Sequence, residues 1–226
     1  MKLTKESEEL DPNLKEHYKK VNGKNGTYLV KRVKSELDKR LSQSEEEQLL
    51  ASFTYENHKS QADRNRSIIV LFLNTGLRVG EMSQLKLFDI FEVGGEIKKI
   101  LTIRPEIAKR KKSRQIPLNS AAIDAIRTLV GNERVNLGDP LLKKKSGAPL
   151  TRRALQDIVK NSCLRAGIDR LVGPHVLRHT FLSKVYAKHK DVKITQQLAG
   201  HADPKLTMQL YTHTTMDAMI DALDDL

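Results

Sequence analysis

The apolar positions of this 226-residue chain change rhythm along its length. Residues 1–40 are dense in charge, carry Gly23 and Gly26 and hold no sustained apolar period. They read as a linker or as the remnant of a preceding domain. The basic residues Lys31, Arg32, Lys34, Lys39 and Arg40 there suit a phosphate backbone or a solvated tether equally well. The compact part spans residues 41–226. Ser42 followed by Glu45 is a capping-box signature, which predicts a helix through Leu49, Leu50 and Phe53. A second helix is expected over 63–74, stopping at Gly76. Between about residues 85 and 118 the rhythm shortens. Phe88, Ile90 and Phe91, then Ile97, Ile100, Leu101 and Ile103, then Ile116 predict three short strands, with Gly94-Gly95 as the first turn.

From Asn119 the helical period returns. Ala122, Ile123, Ile126, Leu129 and Val130 share a face, and Gly131 stops the run. Thr151 is the expected cap of a helix carrying Leu155, Ile158, Val159 and Ala166, ending near Gly167. Pro174 suits a first helical position ahead of residues 175–188. Shorter helices are predicted over 191–199, 204–212 and 214–225, and no internal repeat is present. The fold class is α+β, mainly α: a helical domain with one small three-stranded antiparallel sheet.

Composition narrows the function classes. Hydrophobic residues make up 38% of the chain, enough for a sizeable core. Forty Lys and Arg against 28 Asp and Glu give a net charge of +12, which favours a polyanionic partner. Cys163 is the single cysteine, so there is no disulfide framework, and a small buried residue is its expected role. No run approaches the roughly 18 apolar residues of a membrane span, and the first residues lack a secretory core. A cytoplasmic protein with no membrane partner is the expectation.

Candidate chemistry clusters in four places. Arg78 and Arg178 sit at apolar-flanked turns where an anionic partner is needed, and Glu81 is the obvious structural mate for Arg78. His175 and His179 stand four apart, but Val176 replaces the glutamate of a zinc-protease helix and no third ligand lies nearby, so no metal is expected. Lys98, Lys99, Arg104, Lys109, Arg110, Lys111, Lys112 and Arg114, against Glu106 alone, put +7 on a predicted hairpin, which can be a solvated turn or a finger on DNA. Near the end of the sequence, Gly200-His201 is followed by Leu210-Tyr211-Thr212-His213, where Tyr211 alone would read as a core aromatic.

Together these segments resemble the tyrosine recombinase (phage integrase) family, from about Leu41 onward. The ordered set is Thr75-Gly-Leu-Arg-Val-Gly-Glu81, the basic hairpin ending Arg114-Gln-Ile-Pro-Leu118, His175-x-x-Arg178-His179, Leu198-Ala-Gly-His201 and Tyr211-Thr-His213. The resemblance implies a site-specific recombinase that cleaves and rejoins duplex DNA through a 3′-phosphotyrosyl link, serving integration or excision of a phage or mobile element. Tyr211 is then the nucleophile, and Arg78 and Arg178 hold the non-bridging oxygens. His175 donates to a phosphate oxygen or assists proton transfer, and His201 donates one hydrogen bond that helps seat the phosphate. Lys109 protonates the leaving 5′-oxygen, with Lys111 and Lys112 as neighbouring alternatives. Glu81 and His179 support the site, and Lys98, Lys99, Arg110, Lys111, Lys112 and Arg114 bind DNA. Neither metal nor ATP is implied, because the cationic side chains supply the field and covalent capture conserves the phosphodiester energy.

Family members usually carry an N-terminal DNA-clamping domain, and roughly 40 residues are too few for one, so a fragment or a shortened member is expected. The resemblance implies a tetramer on DNA for a full-length protein, a monomer being open for this chain, and a directionality factor as a further partner. Residues 216–223 suit a short amphipathic helix that packs on a neighbouring protomer or on its own domain. Two alternatives stay open: relaxation of DNA in the manner of a type IB topoisomerase, and a DNA-binding module that does not recombine.

Overall fold

The computed structural model describes residues 18–23, 26–31, 40–55, 59–109, 111–131, 136–144 and 146–200. The helices expected over 204–212 and 214–225, together with Arg110, His201, Tyr211 and the 216–223 segment, lie outside the described residues. Strands β1 (Tyr18–Gly23) and β2 (Gly26–Lys31) pair antiparallel, with Tyr18 opposite Lys31 and Gly23 opposite Gly26. A hairpin therefore lies inside the stretch read as a linker or remnant.

Helix α1 (Gln43–Ala51) starts on the predicted capping box: Glu45 N–H donates to Ser42 Oγ at 3.1 Å, and Ser42 N–H donates to Glu45 Oε2 at 2.8 Å. A 3-10 turn over Ser52–Tyr55 carries the buried Phe53. Helix α2 (Lys59–Thr75) buries every residue from Ile68 to Leu73, so it is apolar all round in its second half and forms the axis of the domain. It packs on α5 (Ser120–Val130) and on α7 (Pro174–His189). Helix α6 (Arg152–Arg165) and the short α8 (Val192–Ala199) complete the larger helices. Side-chain oxygens of Asn119, Thr151 and Asp191 cap α5, α6 and α8, each accepting backbone N–H groups that would otherwise be orphaned. Cys163 is buried in α6, and desolvation pushes its thiol up to about 12, consistent with a packing role.

The predicted three-stranded sheet is corrected to two strands. β3 (Ile100–Ile103) pairs antiparallel with β4 (Arg114–Pro117), with Leu101 opposite Ile116, and Leu101, Ile103 and Ile116 face the core. The expected first strand is instead helix α4 (Leu87–Ile90), followed by a single bridge between Phe91 and Ile97. Leu87, Ile90 and Phe91 are buried while Phe88 is exposed, which is the i, i+3, i+4 pattern of one helical turn. A short helix α3 (Val79–Met82) precedes it. Among the described residues no helix is long and apolar enough to cross a membrane.

Candidate functional site

The site begins where α2 stops. Gly76 adopts φ +58°, and a Cβ there would lie 2.5 Å from Cδ1 of Phe181 on α7, so only glycine lets the turn rest against that helix. Two residues later Arg78 occupies the N-cap of α3. Its backbone N–H donates to Glu81 Oε2 at 2.8 Å, its Nη1 to Glu81 Oε1 at 3.0 Å, and its Nη2 to the Gly200 carbonyl at 3.4 Å. Arg114 reaches the same carboxylate from β4, donating from Nη1 to Oε1 at 2.7 Å and from Nη2 to Oε2 at 2.6 Å, while its Nε donates to the Leu198 carbonyl at 3.2 Å.

Glu81 is 1% exposed. Burial alone would raise its pKa, but hydrogen bonds and charge from Arg114, then from Arg78, outweigh that and hold it below its ordinary 4.5. It is ionised at neutral pH. Two guanidinium groups on one carboxylate leave a surplus positive charge, and Arg78 retains an open edge.

Arg178 is buried in α7 and donates from Nη1 to the Gly76 carbonyl and from Nη2 to the Ala199 carbonyl. These two carbonyls orient the guanidinium. Arg78 and Arg178, a hundred residues apart in sequence, thus converge on the last turn of α8. That turn closes with Gly200 at φ +60°. His175 stands one turn before Arg178 at the surface of α7. Desolvation first, then the charges of Arg178, Arg78 and Lys109, lower its pKa from 6.5, which favours a neutral ring at physiological pH.

A cleft of about 860 Å³ opens beside these groups, lined by Arg78, Lys109, Lys112, Arg114, Lys193 and Gly200 among others. Lys109 reaches its rim because the preceding Ile107 and Ala108 are buried and both N–H groups return to the Arg104 carbonyl at 3.2 Å. The hairpin loop is packed at its root. A second cleft between α1 and α7 is lined by Arg40, Glu45, Glu46, Arg170 and Lys184; its mixed charge and its distance from the convergent arginines set it apart. His175 and His179 share α7, and among the described residues no group of three His, Cys, Asp or Glu side chains is placed to hold a metal ion.

Residues 39–218 match the model of the phage integrase family. The chain belongs to that family. It is 32% identical over 147 residues to tyrosine recombinase XerD of Staphylococcus haemolyticus, covering 63% of this chain and 48% of the relative. It is 31% identical over 218 residues to tyrosine recombinase XerH of Campylobacter jejuni, covering 96% of this chain and 59% of the relative. The chain spans about half the length of the relatives it matches. Among solved structures, a XerA recombinase superposes with a TM-score of 0.66 at 26% identity, over 81% of this chain and 62% of that one. A XerH recombinase bound to a palindromic difH substrate, a post-cleavage complex, superposes with a TM-score of 0.62 at 27% identity, over 81% of this chain and 52% of that one.

Within this integrase-family domain, Arg78, Glu81, Lys109, His175 and Arg178 come together around the end of α8. The basic run does not form one patch. Lys98 donates from Nζ to the Phe88 carbonyl at 2.8 Å and Lys99 lines a groove with Ile123 and Arg127; both precede β3, at the opposite end from Lys109. Lys111 and Lys112 are exposed near the cleft. Arg114, expected on the DNA-binding face, has its guanidinium turned inward onto Glu81 with the side chain 8% exposed. Sequence reasoning missed Lys193, which shares the cleft with Gln197 one helical turn on; their i, i+4 spacing on α8 was the available signal.

Proposed function

We propose that this chain is the strand-cleaving and rejoining part of a site-specific DNA recombinase acting on duplex DNA. The observation that carries this reading is the convergence of the Arg78 and Arg178 forks on the end of α8, beside a basic cleft that Arg78 and Lys109 line. Planar guanidinium groups donate paired hydrogen bonds to non-bridging phosphate oxygens and stay charged, which suits a five-coordinate transition state. Tyr211, assigned by the family pattern, attacks the scissile phosphorus through its phenolic oxygen. A phosphorus–oxygen bond to tyrosine forms as the bond to the 5′-oxygen breaks. The phenolic proton passes to His175, and Lys109 gives a proton to the leaving 5′-oxygen, which departs as a hydroxyl. His201 completes the phosphate seat, and a second 5′-hydroxyl reverses the sequence to rejoin strands. The cationic side chains provide the field, so neither metal nor ATP enters the step.

Lys112 and Lys193 on the cleft rim, with Lys111 beside them, supply phosphate contacts. The family resemblance extends the proposal to integration or excision of a phage or mobile element. In the assembled protein, a tetramer on DNA with exchange of the 216–223 segment, modulated by a directionality factor, completes the reading.

The test is covalent capture on nicked suicide duplexes of pooled sequence at low salt. The expected result is a protein–DNA adduct on a denaturing gel that disappears in Tyr211→Phe. An adduct that persists in that variant removes Tyr211 as nucleophile, and no adduct with the wild type counts against cleavage by this chain.

A further inference from the structure

We propose that Arg114 is a positioning residue for strand cleavage: it clamps the Arg78 turn, the Lys109 hairpin and the last turn of α8 into one rigid unit. The inference rests on the reading of Arg78 and Lys109 as reacting groups, and concerns how they are held in register.

Three observations carry it. First, all three guanidinium nitrogens are spent inside the protein: Nη1 and Nη2 lie side by side on Glu81, and Nε donates to the Leu198 carbonyl. With the side chain 8% exposed, little of it is left for a DNA phosphate. Second, each contact belongs to a different part of the site. Glu81 fixes the backbone and guanidinium of Arg78. Leu198 lies two residues before Gly200, whose carbonyl accepts from Arg78. Arg114 itself opens β4, the return strand of the loop that carries Lys109.

Third, the packing is interlocked. A Cβ on Gly200 would lie 2.8 Å from Cδ and 3.3 Å from Nε of Arg114, so Gly200 rests directly on the arginine stem. A lysine cannot reproduce this. One ammonium carries charge to Glu81 but cannot make two parallel bonds and also reach the Leu198 carbonyl. Misplacement of reacting groups by about 1 Å is enough to slow chemistry about 100-fold while leaving ground-state binding intact.

The experiment compares Arg114→Met, Arg114→Lys and Lys112→Met with the wild type on the nicked suicide duplexes. It reads the single-turnover cleavage rate at saturating DNA, the DNA affinity and the salt dependence of that affinity. For Arg114→Met the saturated rate falls about 100-fold, while affinity and its salt slope stay at the wild-type values; Arg114→Lys recovers only a minor part of the rate. Lys112→Met instead lowers the salt slope by roughly 0.9, the loss of one phosphate contact. Adding Glu81→Gln to Arg114→Met costs less than the product of the two single losses, because the two variants remove one shared contact while Glu81 also holds Arg78.

A lowered affinity and salt slope for Arg114→Met with an unchanged saturated rate makes Arg114 a DNA contact and overturns the proposal, as do losses that simply add in the double variant. Should the wild type form no adduct, the functional reading falls, and hydrogen exchange on the DNA-free protein decides Arg114 independently. Protection over residues 79–83 and 196–200 is then lost together in the Arg114 variants while residues 120–130 stay protected. Unchanged protection in either segment refutes the clamp. If Arg114→Met unfolds the protein outright, Arg114→Lys carries both readouts.

Discussion

Helices α3 and α4 are built on one plan and end in different chemistry. In each, the residue three after a basic N-cap is an acid whose carboxylate accepts the N-cap backbone N–H: Arg78 to Glu81 at 2.8 Å and Lys86 to Asp89 at 2.9 Å. In each, an arginine from the sheet region closes on that carboxylate, Arg114 of β4 on Glu81 and Arg104, just past β3, on Asp89 at 2.8 Å. At Asp89 the pairing ends there. Arg104 also donates from Nη2 to the Gln84 carbonyl at 3.0 Å and sits over the Phe88 ring, with the Lys86 ammonium over the same ring. At Glu81 a second guanidinium, that of Arg78, shares the carboxylate and reaches the end of α8. The first arrangement is a staple of one carboxylate on one guanidinium. The second is the same staple with one cation in excess, and that excess faces the basic cleft.

The largest expected difference between the two is in stability. Glu81→Ala leaves two guanidinium groups around a buried void, one of them almost fully desolvated, and should cost about 3–5 kcal/mol in urea unfolding. Asp89→Ala leaves Arg104, which is 24% exposed and can turn to water, and should cost about 1–2 kcal/mol. Equal costs would erase the distinction between an inward clamp and a surface staple.

A smaller effect appears in acid. Because Glu81 is held below 4.5 in the folded state, the unfolded chain takes up its proton first as pH falls. Its contribution is therefore full above 4.5 and is lost as pH drops through the lower folded value. Replacing it with glutamine should flatten that part of the stability profile, and an unchanged profile would mean that the carboxylate is not held by its two arginines. The smallest effect is a titration. The His175 ring should titrate below 6.5 by NMR in the free protein, and duplex DNA should raise that midpoint by offsetting the charges of Arg178, Arg78 and Lys109. A midpoint that DNA does not move would place His175 away from the bound phosphate.

Much of the helical frame was legible because caps are local. Ser42 with Glu45, Asn119, Thr151 and Pro174 each announce a helix start within four residues, and Gly76 and Gly131 announce two stops. The region 87–91 was misread because five residues with Phe88, Ile90 and Phe91 fit alternation as well as one helical turn. What decided was the buried Asp89, which caps α4 and meets Arg104, a contact invisible without the fold. The hairpin at 18–31 was obscured by its lysines, although Asn22-Gly23 and Asn25-Gly26 are turn signals. In the site, motif spacing picked out Arg78, Glu81, His175 and Arg178 before any contact was known. It could not separate Arg114 from the lysines around it. Charge is a property of composition, whereas the direction in which a guanidinium turns depends on a carboxylate 33 positions away.

One feature of the domain's beginning has a mechanical side. The Leu41 N–H donates to Thr180 Oγ1 at 2.8 Å, Arg170 holds Glu45 through Nε at 2.9 Å and also the Arg40 carbonyl, and Lys184 pairs with Glu46. Thr180 and Lys184 belong to α7, the helix that carries His175 and Arg178. A pull or twist that reaches residue 40 therefore meets the helical domain directly. It enters through a riveted joint, and the first rigid lever to bear the load is the one holding an arginine of the site.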